Sequence, residues 1–467
     1  MAPPPDLNVG VPDLEYFTPQ HITSPGTPAT TSSSSKTVPK LFQPLTIRGT
    51  TLRNRILVAP MCQYSTASHG PATGALTDYH IATLGHYALK GAALVMVEAT
   101  GVQPNGRISP NCPGLWTDAQ IPALRRVSDF IKSQGALSAV QLAHAGRKAS
   151  TCAPWIAGAQ RTSGGKRKVS VRASEAAGGW PEDVVGPMGG EAWTWDEKKL
   201  DDDAGGYWAP RALSEAEIGD LVRDWASAAQ RSVKAGVDVL EIHAAHGYLI
   251  HQFLSPITNQ RTDRYGGSFE NRTRLLLDII RAIRAVIPAE MPLYLRISAT
   301  EWMEDTPLAA AHGSWDVASS IQLAKIVARM GVDLLDVSSG GNIVHQKLNP
   351  FDTKDYQTRI AAQIREEVRK DGGNMFIGAV GLITEAEQAR DIVEEGGAVA
   401  QQTRDAELAK EASAAVAMTE GNQPQADVIL VARQFMREPE WVLRVAHQLG
   451  VDVAWPNQFL RVRFPKL

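Results

Sequence analysis

The sequence predicts an α/β fold, a (β/α)8 TIM barrel, and three observations predict it. Amphipathic stretches repeatedly end at Gly, and a strand-like apolar run follows within a few residues. Those runs are nearly continuously apolar, as parallel strands buried on both faces must be. Eight such runs alternate with helices, which suits a closed barrel better than an open sheet.

Residues 1–40 come first. They hold eight prolines and the run Thr30-Thr-Ser-Ser-Ser-Ser35, and predict an extended or disordered arm laid over the surface. Tyr16 and Phe17 are its aromatic anchors. The barrel occupies 41–467 as one domain. Strand 1 is Ile56-Leu-Val-Ala59. Gly91 ends a helix and leads into Ala93-Leu-Val-Met-Val-Glu98, and Gly135 leads into Leu137-Ser-Ala-Val-Gln141. Gly236 leads into Val237-Asp-Val-Leu-Glu-Ile-His243. Strand 5 is Leu293-Tyr-Leu-Arg-Ile297, and Gly331 leads into Val332-Asp-Leu-Leu-Asp-Val-Ser338. Strands 7 and 8 are Met375-Phe-Ile-Gly-Ala-Val380 and Asp427-Val-Ile-Leu-Val-Ala432. Gly closes the helices because it tolerates the left-handed cap. Ser214-Glu-Ala-Glu217 and Thr384-Glu-Ala-Glu387 fit the capping box that opens a helix. After the first, Ile218, Leu221, Val222, Trp225 and Ala229 recur at helical spacing.

Two segments exceed a minimal barrel. Residues 152–212, rich in Gly, Trp and charge and including Asp201-Asp202-Asp203, read as a capping loop at the barrel end where active sites lie. Residues 397–426, rich in Ala, Gln and Glu, read as a surface insertion carrying an added helix.

Composition narrows the function. The chain has 467 residues with 47 Lys+Arg, 50 Asp+Glu and a formal charge of -3. A near-neutral chain without a basic block is a poor nucleic-acid binder. Its three cysteines, Cys62, Cys112 and Cys152, form no CxxC pair, which disfavours a disulfide framework, a zinc ribbon or an iron–sulfur cluster. No apolar run reaches the roughly 18 residues of a membrane span. Prolines near the start, and a first 40 residues with no Arg and three acidic residues, disfavour a secretory or mitochondrial leader. Pro465-Lys466-Leu467 matches the peroxisomal Ser-Lys-Leu address poorly. The expectation is a cytoplasmic protein with no membrane partner.

Chemistry is sought at the C-terminal ends of the strands. Strand 1 ends in Ala59-Pro60-Met61-Cys62-Gln63-Tyr64, strand 2 in Glu98-Ala99-Thr100, strand 3 in Gln141-Leu-Ala-His144 and strand 4 in His243-Ala-Ala-His246-Gly-Tyr248. Strand 5 carries Arg296, and strand 6 ends in Ser338-Ser-Gly-Gly341. Gly381 after strand 7 and Ala432-Arg433 after strand 8 lie where such barrels bind phosphate: Gly lets backbone N–H groups approach, and Arg adds a charged fork. Arg296 needs an anionic or acceptor-rich partner, and a structural salt bridge is an alternative for it. Gln141 can donate and accept, which suits a heterocyclic amide edge.

His243 and His246 could bind zinc, but no third ligand stands at another strand end. Side by side they could instead polarise a carbonyl oxygen, with Tyr248 delivering a proton. A zinc hydrolase and a non-catalytic scaffold are the competing classes.

Taken together, Ala59-Pro-Met-Cys-Gln-Tyr64, Gln141-Leu-Ala-His-Ala-Gly-Arg-Lys148 and Glu241-Ile-His-Ala-Ala-His-Gly-Tyr248 resemble the Old Yellow Enzyme family, the NADH:flavin oxidoreductases. So do His251-Gln-Phe-Leu-Ser-Pro256, Arg261-Thr-Asp-Arg-Tyr-Gly-Gly267 and Glu270-Asn-Arg272. The resemblance spans about 40–465. Cys62, and His at both strand-4 positions, are similar to the YqjM-like or thermophilic-like branch, and the proline-rich arm and long loops to its fungal members. The resemblance implies FMN, reduced by NADPH or NADH, then delivering hydride to an activated alkene such as an α,β-unsaturated carbonyl. It implies that Ala59, Pro60, Met61, Cys62 and Ala99 line the flavin, and that Gln141 and Arg296 face its pyrimidine edge. Gly381, Ala432 and Arg433 would hold its phosphate. It implies His243 and His246 on the substrate oxygen, Tyr248 as proton donor, and Tyr64 and Lys148 near the substrate. Arg461 would reach the site of a neighbouring subunit, in a homodimer or dimer-based oligomer. Ala59 stands where Ser is common in the branch, and Ala432 where Gly is. A biosynthetic reductase or isomerase with a dedicated substrate is the alternative within the family.

Overall fold

Eight short parallel strands close on one another in chain order. They are β1 (Ile56–Val58), β2 (Leu94–Gly101), β3 (Leu137–Ala143), β4 (Val239–Ala244), β5 (Leu293–Ser298), β6 (Leu334–Ser338), β7 (Phe376–Val380) and β8 (Val428–Val431). Closure is made by β8 on β1, with Ile429 opposite Ile56 and Val431 opposite Val58. Each strand falls within or close to its predicted run. The structure is a computed structural model and describes residues 8–29, 37–159, 172–200, 206–347, 353–396 and 423–465.

A helix follows each strand: α1 (Asp78–Leu89), α2 (Ile121–Ser133), α3 (Glu215–Lys234), α4 (Phe269–Arg284), α5 (Val317–Arg329), α6 (Thr358–Lys370), α7 (Ala386–Val393) and α8 (Trp441–Gln448). α3 opens with the predicted capping box: Ser214 accepts from the Glu217 N–H, and the Glu217 carboxylate accepts from the Ser214 N–H. Ile218, Leu221, Trp225 and Ala229 are buried against the sheet, and Val222 lies at the edge of that stripe. The second capping box does not form. α7 starts with Glu385 as its N-cap, and the Thr384 N–H is taken by the side chain of Gln388 instead of Glu387. The helix starts one residue later than the box requires, so Gln388 takes the place of Glu387.

The lower end of the barrel, at the strands' N-termini, is plugged. A hairpin of Leu45–Ile47 and Thr50–Leu52 puts Ile47 and Leu52 among Leu57, Leu94, Met96, Tyr294 and Leu430 inside the barrel. Strand alternation alone did not reveal this hairpin, because its runs are three residues long. The arm crosses the same end. Gly26 donates its N–H to Ala454 and its carbonyl accepts from Asn54, while Ala454 donates to Thr27. A Cβ on Gly26 would stand 2.4 Å from the Gly91 carbonyl oxygen, so only glycine lets the arm lie this close. Of the two expected anchors, Tyr16 does reach a ring, Phe130 at 6.4 Å between centroids, but Phe17 is 64% exposed.

The described residues of the segment 152–212 cover the upper end. Trp180 and Val184 pack with Ala99, Ala143 and Ala145, and Trp195 donates its indole N–H to the Gly341 carbonyl at 3.0 Å. Asp201-Asp202-Asp203 and residues 397–422, with the helix expected there, lie outside the described residues. No helix among the described residues is long and apolar enough to cross a membrane.

Candidate active site

Strand alternation sorts side chains into layers inside the barrel. Val239, Glu241 and His243 follow one another along β4, Tyr294 and Arg296 along β5, and Leu334, Asp336 and Ser338 along β6. The lowest of each set belongs to the apolar plug. The middle layer is charged, and the top carries the histidine and the serine.

At the top of β4 three rings meet. His243 lies edge-on to His246 at 5.1 Å and to Tyr248 at 4.9 Å between centroids. The Ala245 N–H donates to His243 Nδ1 at 3.2 Å, so that nitrogen is an acceptor and Nε2 carries the proton. His246 is held in the left-handed region, φ 59°, by its N–H donating to Ser298 Oγ at 2.8 Å. Its Nε2 lies 2.7 Å from Ser338 Oγ. Burial first, then the His246 ring for His243 and Arg296 for His246, hold both histidines well below the usual imidazole range. They are neutral donors. Burial likewise holds the Tyr248 phenol well above its ordinary value, so it keeps its proton. Among the described residues no group of three or more His, Cys, Asp or Glu gathers for a metal ion.

Lys148 lies beside Tyr248, 5.4 Å from the centre of its ring, and is also bonded to two loops. Its ammonium donates to the His246 carbonyl at 2.9 Å and the Gly341 carbonyl at 3.0 Å, and lies 4.5 Å from the centre of the Trp195 ring. It clamps the β4 and β6 loops under the insertion. Burial, then Arg147, pushes its pKa down to about 7. Tyr64 stands edge-on to Trp155 at 5.5 Å. Cys62 and Tyr64 pack with Tyr248 against Ala99 and Cys112. Contact with the Cys112 thiol, then burial, pushes the Cys62 thiol up, so it is a poor nucleophile.

Beneath the rings lies the charged layer. Gln141 donates to Glu241 Oε1 at 2.7 Å, and Arg296 pairs with Asp336 while its Nε stands 3.8 Å from the same Glu241 oxygen. Glu241 Oε2 and Asp336 Oδ1 are buried without a hydrogen-bond partner. Orphaned polar atoms at this depth call for a polar ligand. Ala59 and Ala99 are buried nearby, and Pro60 and Met61 are half-buried.

Across the barrel mouth, Gly381 has φ 110°, and a Cβ there would lie 2.5 Å from Gln357 Nε2. Ala432 precedes a short helix, Arg433–Arg437. The Arg433 guanidinium is exposed and, among the described residues, has no hydrogen bond or ion pair. These groups suit an anion. Arg461 is exposed in the turn Asn457–Val462, where Phe459 meets Lys90 and Asn457 meets Gln20. That is the lower end, away from this chain's own site.

The sequence reading missed Glu241, Asp336 and Ser338. A signal was available: Glu and Asp stand in the middle of otherwise apolar strands, Val-Leu-Glu-Ile-His and Leu-Leu-Asp-Val-Ser. It also missed the buried pair of His80 and Glu98, 3.1 Å apart, with the Gln63 N–H donating to the same Glu98 oxygen.

A closed barrel with a buried charged layer, an exposed arginine and neutral hydrogen-bond donors at its upper end has the make-up of an α/β-barrel enzyme. Comparison with known proteins agrees. Residues 40–400 match the NADH:flavin oxidoreductase / NADH oxidase family. An NADH:flavin oxidoreductase of Gibberella zeae is 38% identical over 457 residues, 97% of this chain and 94% of that one. An NADPH dehydrogenase of Bacillus subtilis is 35% identical over 422 residues, 90% and 98% of the two chains. Morphinone reductase in complex with tetrahydroNAD superposes with a TM-score of 0.58 at 25% identity, over 90% of this chain and 93% of the other. The chain belongs to the NADH:flavin oxidoreductase family, the Old Yellow Enzymes. It is an oxidoreductase that uses FMN with NAD(P)H as electron donor.

Proposed function

We propose that the protein is an ene-reductase acting on activated alkenes such as α,β-unsaturated carbonyl compounds. The arrangement of His243, His246 and Tyr248 carries this reading: two neutral imidazoles beside a phenol that keeps its proton. FMN, when bound, supplies the hydride exchange, and the protein's share is binding, orientation and polarisation. Gly381, Ala432 and Arg433 would hold its phosphate, Gln141 and Arg296 its ring, and Ala59, Pro60, Met61, Cys62 and Ala99 would line it.

His243 Nε2–H and His246 donate to the substrate oxygen and draw charge from the alkene. Because both rings are neutral, they release no proton to the substrate. Tyr248 gives its phenolic proton to the α-carbon as general acid. Tyr64 borders the substrate. The relatives named NADPH dehydrogenase favour NADPH as donor. Arg461, remote from this chain's own site, would serve the site of a second copy in a dimer. The setting is the cytoplasm.

The test is an anaerobic visible spectrum. A flavin band that bleaches with NADPH and returns with 2-cyclohexenone is the expected result. A colourless protein that takes up no added FMN would overturn the reading. A band that bleaches but ignores the enone would overturn the substrate class.

A further inference from the structure

The charged layer holds two carboxylates against one guanidinium. Glu241 and Asp336 are fully buried and Arg296 is 5% exposed. Water screens none of them, and a second uncompensated negative charge would be strongly disfavoured. One carboxyl group must therefore keep its proton. Asp336 is the one in direct contact with Arg296, so it is the better candidate for the ion. Glu241, 3.8 Å from Arg296 Nε, keeps the proton. The proton is disfavoured on Oε1, which accepts from Gln141 at 2.7 Å. It sits on Oε2, which has no partner in the protein.

Register fixes this arrangement. Gln141 is opposite Glu241 across β3 and β4, Glu241 is opposite Tyr294 across β4 and β5, and Arg296 is opposite Asp336 across β5 and β6. The groups facing Glu241 are thus Gln141 on β3, Arg296 and Tyr294 on β5 and Asp336 on β6. His243 follows it along β4. The amide orientation of Gln141 follows from Glu241: Nε2 is turned to the carboxyl group, which leaves Oε1 free to accept from a ligand.

We propose that Glu241 is a positioning residue for the flavin ring. It fixes which edge of Gln141 is presented, and its proton sets the net charge of the layer that holds Arg296. This rests on the FMN assignment above. Burial, offset by Arg296, pushes Glu241 up to about 8, which places the ionisation within reach of experiment.

The consequence is a proton linked to electron transfer. Taking up a hydride brings two electrons and one proton to the site and leaves it one unit more negative. Above about pH 8 the layer then recaptures one proton from solvent at Glu241, and returns it to solvent on reoxidation.

The experiment is the midpoint potential of the purified holoenzyme, titrated from pH 6 to 10. In the wild type the slope of potential against pH should steepen above about 8. Glu241→Gln keeps the bond from Gln141 and should abolish the break. Asp336→Asn removes the neighbouring negative charge and should move the break to lower pH. A merely structural Glu241 would lower thermal stability or FMN affinity and leave the slopes parallel. Parallel wild-type and Glu241→Gln slopes overturn the proposal, as does a break that ignores Asp336→Asn. If Glu241→Gln does not fold, the Asp336→Asn shift decides. A wild type that takes up no FMN overturns this proposal together with the functional reading, whereas a flavoprotein without a break overturns this proposal alone.

Discussion

Arg53 and Arg296 stand at opposite ends of the same barrel, and the contrast between them separates the parts built for stability from the parts built for chemistry. Arg53, at the lower end, gives its N–H groups to the carbonyls of Gln134, Ala88 and Ala92. It ties the ends of α1 and α2 to the barrel floor. Burial alone lowers its pKa, to about 9, since no carboxylate faces it. Arg296 is buried as deeply, yet Asp336 and Glu241 outweigh burial and hold it above its ordinary value. Around Arg53 lie the apolar plug and the arm. Around Arg296 lie the unpartnered carboxyl oxygens Glu241 Oε2 and Asp336 Oδ1, which cost stability until something polar meets them. The floor is mostly apolar, although Arg53 Nε and Tyr294 Oη lack a partner there, whereas the unpaired atoms of the top include carboxyl oxygens.

The largest expected effect tests the top. Tyr248→Phe removes the phenolic proton and leaves the ring contact with His243. The step with 2-cyclohexenone should slow by roughly 10²–10⁴-fold, the usual worth of a positioned general acid. Reduction by NADPH should be unchanged, because no proton is donated in that step. Rapid-mixing measurements of the two half-reactions separate them, and equal slowing of both would assign Tyr248 a structural role. His243→Ala should cost less, about 10²–10³-fold, as the loss of one donor to a developing oxyanion.

The floor should respond in the opposite way. Leu52→Ala empties part of the plug beside Ile47 and Leu57 and should cost about 2–5 kcal/mol of stability. The rate per bound flavin should stay at the wild-type value. Urea unfolding and the two half-reaction rates measure this, and a fall in rate without a fall in stability would break the division between the ends.

That division also explains what could be read from the sequence. The eight strands were legible because parallel strands buried on both faces leave long apolar runs, and the helix ends because Gly91, Gly135, Gly236 and Gly331 take positive φ. Candidate site residues could be gathered because strand ends in a barrel share one face. Pairings made by closure were not. His246 meets Ser338 and Gln141 meets Glu241 about a hundred residues apart, and no local pattern encodes that. The bonds of Lys148 were not legible either, because the two carbonyls that accept from it belong to other loops. The three-residue hairpin strands were too short to show alternation.

The smallest expected effect lies in the pH dependence of stability, and Lys148 carries it. Its folded pKa, about 7, is below the ordinary 10.5 because burial, then Arg147, disfavours the charge. Below pH 7 the folded and unfolded chains both hold the proton, and the full penalty of the buried charge is present. Between about 7 and 10.5 the unfolded chain binds more protons than the folded one, so stability rises with pH. Glu241 works the other way: its raised pKa makes stability fall from the ordinary carboxylate range up to about 8. Above 8 Glu241 is ionised in both states and contributes no slope, which leaves Lys148 exposed to measurement from pH 8 to 9.5. In Lys148→Met the rise of the urea midpoint across that window should disappear relative to the wild type. Two curves that stay parallel would mean that the ammonium between the β4 and β6 loops keeps its charge throughout, and the clamp over the site would then be ionic at every working pH.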